Sequence, residues 1–288
     1  LNSIACFRNF EDCYENIELP KINLTDQELV DMSYDFYCWL PKKSYQKYFC
    51  TFTNPRNHLL RFVSGSIHDS YGLTQVFYYP SYQPYFSVCR ENTIADFTTL
   101  NHEIAHGIFC KHGTYNLLNN QHYYLMELEG SFFDFLSGMY LKGKVDDSII
   151  KEIDYYRFIT EYNDICEFYL IDYAVYLTLR NKNIDIISMK RKILRDGLDI
   201  NIDKTGLHSA LCESSQEYAK YFLSYLTSLD LESIYEKDPE YAFYLFEKIR
   251  RNKTDDIFSN LRENGITFMD DGYQNLQKKM KVFGKFKL

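Results

Sequence analysis

Chain breakers are scarce in this sequence: 12 Gly and 6 Pro stand among 288 residues, roughly half the combined share of an average protein. A β-sandwich needs frequent turns, and collagenous or disordered chains are rich in these two residues, so all three classes are excluded. Long helices remain. The 27 Tyr, 22 Phe and 1 Trp make 17% of the chain within an apolar fraction of 45%, enough apolar surface for such helices to bury a large core. The expected fold is mainly α.

The exception lies between Asn54 and Arg90, where Gly65, Gly72, Pro80 and Pro84 isolate the runs Thr74 to Tyr79 and Tyr85 to Arg90. These read as strands with a turn between them, so a small antiparallel sheet is expected over residues 54–92. Ahead of it, residues 1–50 read as helical pieces, with Thr25-Asp26-Gln27-Glu28 as a helix start. Beyond it the pattern is helical almost to the end. Thr93 with Asp96 resembles a capping box, and Ile94, Phe97, Leu100, Ile104 and Ile108 follow at helical spacing, with Lys111, His112 and Gly113 as the stop. A second helix is expected from about Asn119 to Lys142, with Leu125, Leu128, Phe132, Phe135, Leu136 and Met139 facing inward and Gly143 ending it.

A net charge of −8 argues against a nucleic-acid partner, because phosphate binding draws on clustered Lys and Arg. Lys190-Arg191-Lys192 and the Lys278, Lys279, Lys281 group read as solvated helix faces. No uncharged apolar run is long enough to span a membrane, and Arg8, Glu11 and Asp12 interrupt any signal-like start. Eight cysteines lie far apart with no CxxC pair, which suits reduced thiols and a cytoplasmic location.

The first long helix carries Asn101-His102-Glu103-Ile104-Ala105-His106-Gly107, an HExxH motif. Two His residues four apart share a helix face and reach one Zn²⁺, while Glu103 sits beside the open coordination position as a base for bound water. The alternative is a pair of surface histidines, which leaves Glu103 without a role. A catalytic zinc needs a third protein ligand. His112 has the spacing of the metzincin pattern HExxHxxGxxH, but Phe109 occupies the position where that pattern has Gly, and Phe suits the required positive φ poorly. On the second helix Glu127 and Asp134 are seven apart and share a face, with Gly130 and Ser131 between them to permit close helix packing. Glu127 is the expected third ligand, with Glu129 as the alternative. Asp134 is placed to orient a ligand His through its second ring nitrogen. His58, His68 and His122 show no ligand spacing.

At these residues the chain resembles the thimet oligopeptidase and oligoendopeptidase F family of zinc metallopeptidases, closest to the oligoendopeptidase F branch. Tyr85-Phe86-Ser87-Val88 followed by Thr99 to Gly107 is similar to that family's strand and zinc helix, and Glu127 through Asp134 to its second helix. Weaker similarity continues through Glu240 to Ile249 and Asn264-Gly265-Ile266-Thr267-Phe268. The resemblance covers about residues 85–280. It implies a deep cleft, a sheet edge that pairs with an extended peptide, and short peptides as substrates. Family members carry a larger helical region ahead of the motif, so the chain reads as a minimal form or a catalytic fragment. The resemblance also implies oxyanion donors from a His followed by tyrosines. Here His208, Tyr218 and Tyr221, with Tyr225 further on, are the candidates, at a longer gap than the family's.

The sequence therefore reads as one helical zincin-type catalytic domain over 1–288, with a small antiparallel β-sheet beside the active-site helix: a β region at 54–92, zinc-site helices at 93–142 and a helical carboxyl-terminal lobe at 143–288. The expected activity is zinc-dependent hydrolysis of oligopeptides, with one Zn²⁺ held by His102, His106 and Glu127, and Glu103 as general base. Two alternatives stand beside it. One is a metzincin-like protease using His112. The other is a zinc-containing peptide-binding module without turnover.

Overall fold

The computed structural model describes residues 19, 21–64, 72–77, 83–112, 120–158, 215–251, 256–266 and 274. Helix α1, Asp26–Trp39, begins in a full capping box: Thr25 accepts from the Glu28 amide at 3.2 Å, and Glu28 accepts from the Thr25 amide at 2.8 Å. It buries Leu29, Ser33, Phe36 and Tyr37 on one side. Helix α2, Lys43–Thr53, buries Tyr45, Phe49 and Phe52 at the same kind of spacing. Tyr37 and Phe49 stack with centroids 4.7 Å apart, which joins the two helices.

Three strands follow: β1 Leu60–Ser64, β2 Gly72–Phe77 and β3 Gln83–Arg90, in the order β1-β3-β2. β2 and β3 pair antiparallel as expected, with Thr74 opposite Phe86. β1 corrects the expectation of a wholly antiparallel sheet, because it runs parallel to β3 with Leu60 opposite Phe86. The hairpin-like partner already occupies one edge of β3, and β1 takes the other in the direction the chain enters. Pro84 lies within β3 rather than ahead of it.

Helix α3, Ala95–His112, follows β3. Its start differs from the expected capping box. Thr93 Oγ1 does accept from the Ala95 amide at 3.3 Å. The Asp96 carboxylate instead accepts from the Glu91 and Asn92 amides, each at 3.0 Å, and pairs with Arg90 Nε at 2.8 Å. Asp96 thus ties the end of β3 to the helix and sets the angle at which α3 leaves the sheet. α3 is buried on nearly every face: Phe97, Leu100, Ile104 and Ile108, but also Asn101, Glu103 and His106. β2, β3, α1 and α2 all pack on it, along with helix α4, Asn120–Leu141.

Helix α4 ends where expected, at Gly143 with φ 77°. Helix α5 covers residues 147–158. Helix α6, Ser215–Tyr235, packs along α4, and α7, Pro239–Arg251, packs on α6; α8, Ile257–Glu263, follows. The architecture is mainly helical with a small mixed sheet, as the sequence predicts apart from β1. Among the described residues no helix is long and apolar enough to cross a membrane. Among the described residues, Cys38 and Cys50 are exposed, and Cys89 and Cys110 are buried.

Candidate metal centre

One turn of α3 sets His102 and His106 side by side, with ring centroids 4.5 Å apart at an interplanar angle of 84°. α4 crosses them and brings Glu127 to the same point. One potential ligand atom from each of His102, His106 and Glu127 lies within 4.8 Å of the other two. His106 Nε2 and Glu127 Oε2 stand 3.6 Å apart, too far for a good hydrogen bond. Two ligands with bonds of about 2.0–2.1 Å at a tetrahedral centre are roughly 3.3 Å apart, so the spacing fits donors that share an ion. Two imidazoles and a carboxylate are also the donor set of a catalytic zinc with one open position.

Gly130 permits this approach. A Cβ placed there would lie 2.5 Å from both Cε1 and Nε2 of His102 and 2.8 Å from His106 Cε1. One turn further along α4, Asp134 Oδ2 lies 2.8 Å from His102 Nδ1, which leaves Nε2 of that ring for a ligand role. Burial would lower the proton affinity of His102, but Asp134, with Glu103 and Glu127 nearby, raises its pKa to about 10. The two helices are also bound by Asn101 Nδ2 donating to Ser137 Oγ at 3.1 Å.

Glu103 is buried and faces β2. Gly72 leaves it room, since a Cβ there would meet Glu103 Cγ at 2.8 Å and Cδ at 2.9 Å. Thr74 donates its hydroxyl to the Glu103 carboxylate and lies 3.1 Å from the Glu103 carbonyl oxygen. Burial pushes the Glu103 carboxyl above its ordinary value, opposed by His102 and by the Thr74 hydroxyl. A cleft of about 190 Å³ opens beside His102, Glu103, Gly72 and Asp134. The larger hollow of about 840 Å³ among Trp39, Tyr235, Phe243 and Tyr244 shares no residue with this cluster.

Glu129, the alternative ligand, does something else. It is fully buried, and Arg250 Nη1 from α7 donates to its two oxygens at 3.1 and 3.4 Å. Arg250 also donates to Glu247 at 2.9 Å, and Glu247 receives Tyr45 and Lys42. Burial works against the Glu247 charge, but Arg250, Lys42 and Tyr45 bring its pKa down to about 2. Burial raises that of Glu129 to about 7 against the pull of Arg250. This network fixes α4 to α2 and α7 two residues from Glu127. Arg250→Met is expected to cost about 3–5 kcal/mol at neutral pH, the scale for removing one partner of a buried ion pair. Without Arg250 the folded state keeps the Glu129 proton while the unfolded chain releases it. The variant should therefore lose further stability as pH rises above the ordinary carboxyl range. Urea unfolding of both proteins at pH 5 and pH 8 measures this; equal losses at both would refute the pH dependence.

The other candidates divide. α3 stays helical through Phe109 to His112, so the return turn of the metzincin pattern does not form. Tyr221 lies partly buried on α6 and does not line the 190 Å³ cleft. Tyr225 is fully buried beneath the Arg157 guanidinium, 5.3 Å from its ring centre, and belongs to the core. His208, His68 and the side chains of Tyr218, His112 and His122 lie outside the described residues. His58 is exposed in a left-handed turn at φ 52°. Sequence reasoning missed Thr74 and Arg250. A Thr in a strand carries no signal, but Arg250 interrupts the apolar stripe of Ala242, Phe246 and Ile249 on α7, a mark of buried charge.

No protein-family model matches the sequence, and no curated protein does. Solved structures do match the fold. A Bacillus anthracis str. Ames protein assigned as an oligoendopeptidase F aligns with a TM-score of 0.68 and 12% identity, over 98% of this chain and 53% of that one. PZ peptidase A with an inhibitor gives 0.70 and 12%, over 96% and 55%. A protein from Chlamydophila abortus assigned as a peptidase gives 0.61 and 13%, over 99% and 53%. These neighbours are peptidases by name, and at such identities the likeness shows a shared fold. The chain spans about half the length of the structures it matches.

Proposed function

We propose that this chain is a zinc-dependent metallopeptidase that hydrolyses peptide bonds in oligopeptides. The observation that carries the reading is the convergence of His102, His106 and Glu127 within 4.8 Å beside a buried Glu103. The fold shared with structures assigned as oligoendopeptidase F and PZ peptidase supports a peptide substrate.

His102, His106 and Glu127 would hold the zinc, which supplies a Lewis acid for the scissile carbonyl and lowers the pKa of water to near neutrality. Glu103 takes the proton of the attacking water and returns it to the departing amine. Its carboxyl, raised by burial, is tuned in the direction such a shuttle needs. Asp134 fixes the His102 ring through Nδ1. His208, Tyr218 and Tyr221 are the candidate donors to the developing oxyanion.

Metal analysis and a fluorogenic peptide assay on the purified chain test this reading. One zinc per chain is expected, with turnover lost to a chelator and restored by zinc. Glu127→Ala should lose the metal and His112→Ala should keep it; the reverse result would point to the metzincin-like alternative. Full zinc loading with peptide binding but no cleavage would identify the non-catalytic module.

Thr74 gives a finer test. Thr74→Val keeps the shape and removes the hydroxyl from Glu103. It is expected to lower kcat by roughly 10-fold, a fraction of the 10²–10⁴-fold that a positioned base contributes, with KM and zinc content unchanged. Thr74→Ser should retain most of kcat. A fall in Thr74→Ser with none in Thr74→Val would show that the methyl packing, rather than the hydroxyl, is what matters.

A further inference from the structure

The 190 Å³ cleft has walls that extend well beyond the catalytic residues. On α3, Ala95, Thr98 and Thr99 continue the stripe of His102 at helical spacing, and on α5 Ile153 and Tyr156 face them with Arg157. Leu19 closes a further side. The result is a slot between the first half of α3 and α5 that opens beside His102 and Glu103.

Several polar groups of this slot have partners within the fold, while Arg157 Nε is buried without one. Thr98 Oγ1 donates to the Ala95 carbonyl at 2.9 Å. Asp134 holds His102 at 2.8 Å. Arg157 donates from Nη1 to Glu232 at 2.7 Å and from Nη2 to the Ser131 carbonyl at 2.7 Å and Ser228 Oγ at 3.0 Å. A carboxylate entering the slot would compete with Glu232 for Arg157 and face Asp134. An ammonium group would meet Arg157 at its base. An uncharged apolar group displaces none of these bonds and packs against Leu19, Ala95 and Ile153.

We infer that this slot is the pocket for the substrate side chain flanking the scissile bond, and that it selects an uncharged, medium-sized apolar side chain. The inference rests on the peptidase reading and adds its specificity. Arg157 and Asp134 here exclude charged side chains instead of binding them, and the volume admits one leucyl- or phenyl-sized group.

Peptide hydroxamates that differ only in the side chain next to the metal-binding group, namely methyl, isobutyl and carboxymethyl, test it by calorimetry on the zinc-loaded chain. Isobutyl is expected to bind roughly 10- to 100-fold more tightly than methyl, the range an apolar pocket supplies, and carboxymethyl more weakly than methyl. Ala95→Leu, which fills the slot, should remove the isobutyl advantage over methyl. Ile153→Ala, which widens it, should shift preference from isobutyl to a bulkier naphthylmethyl group. Tighter binding of carboxymethyl, or an unchanged isobutyl-to-methyl ratio in folded Ala95→Leu and Ile153→Ala, overturns the inference alone. Absence of any hydroxamate binding to the zinc-loaded chain overturns the peptidase reading and the pocket with it.

Discussion

Glu103→Gln is expected to lower the rate of peptide hydrolysis about 10³-fold, within the range for loss of a positioned general base, while zinc content stays at one per chain. Gln has the shape of Glu and fits the same space between Gly72 and Thr74. The amide has no basic oxygen of useful strength, so it neither takes the proton of water nor returns one to the leaving amine. Glu103 is absent from the convergent ligand set of His102, His106 and Glu127, which is why metal and activity should separate in this variant. Inductively coupled plasma analysis beside the peptide assay decides it. Near-normal turnover would remove Glu103 from the mechanism, and loss of zinc would make it a ligand or a folding residue.

Gly130→Ala tests the geometry rather than the chemistry. In an ordinary helix interior this change stabilises a protein by about 0.5–1 kcal/mol. Here the new methyl would stand 2.5 Å from two atoms of the His102 ring and 2.8 Å from His106. The ring has little freedom to yield, because its Nδ1 is held by Asp134 on the same helix. The helices must separate or the ring must tilt, and either change moves Nε2 from the point it shares with Glu127. Zinc affinity should fall roughly 10- to 100-fold, the scale seen when the support of a ligand is disturbed. Competition with a chromogenic chelator measures the affinity, and thermal unfolding of the metal-free variant measures the backbone effect. A more stable variant with unchanged zinc affinity would show that α3 and α4 are less closely fitted than described.

The helices of this chain are legible in sequence because their signals are local. Thr25 and Glu28 close a capping box within four residues, and Gly143 ends α4 where its left-handed φ is needed. The spacing of His102 and His106 sets a shared face before any packing is known. Strand order follows no such local rule. β1 has five residues with an exposed Arg61 among them, and its parallel pairing with β3 depends on which edge the hairpin leaves open. Asp96 shows the same limit at the start of α3. Its spacing from Thr93 suits a capping box, but Arg90 and two loop amides offered more partners and took the carboxylate.

By itself the sequence determined the helical class, the HExxH turn and the pairing of Glu127 with Asp134 on one face of a second helix, because helix periodicity converts spacing directly into direction. The tertiary structure decided which acid reaches the histidines and which is buried for support. Glu127 and Glu129 are two residues apart, and a helix turns about 200° over that step. Packing against α3 therefore sends Glu127 to the imidazoles and Glu129 to Arg250. It also decided where Thr74 falls, since a hydroxyl on a strand finds Glu103 only once the sheet lies along α3. Scarce glycines acquire their meaning at the same stage: Gly72 and Gly130 mark the two places where β2 and α4 come too close to the site for a side chain.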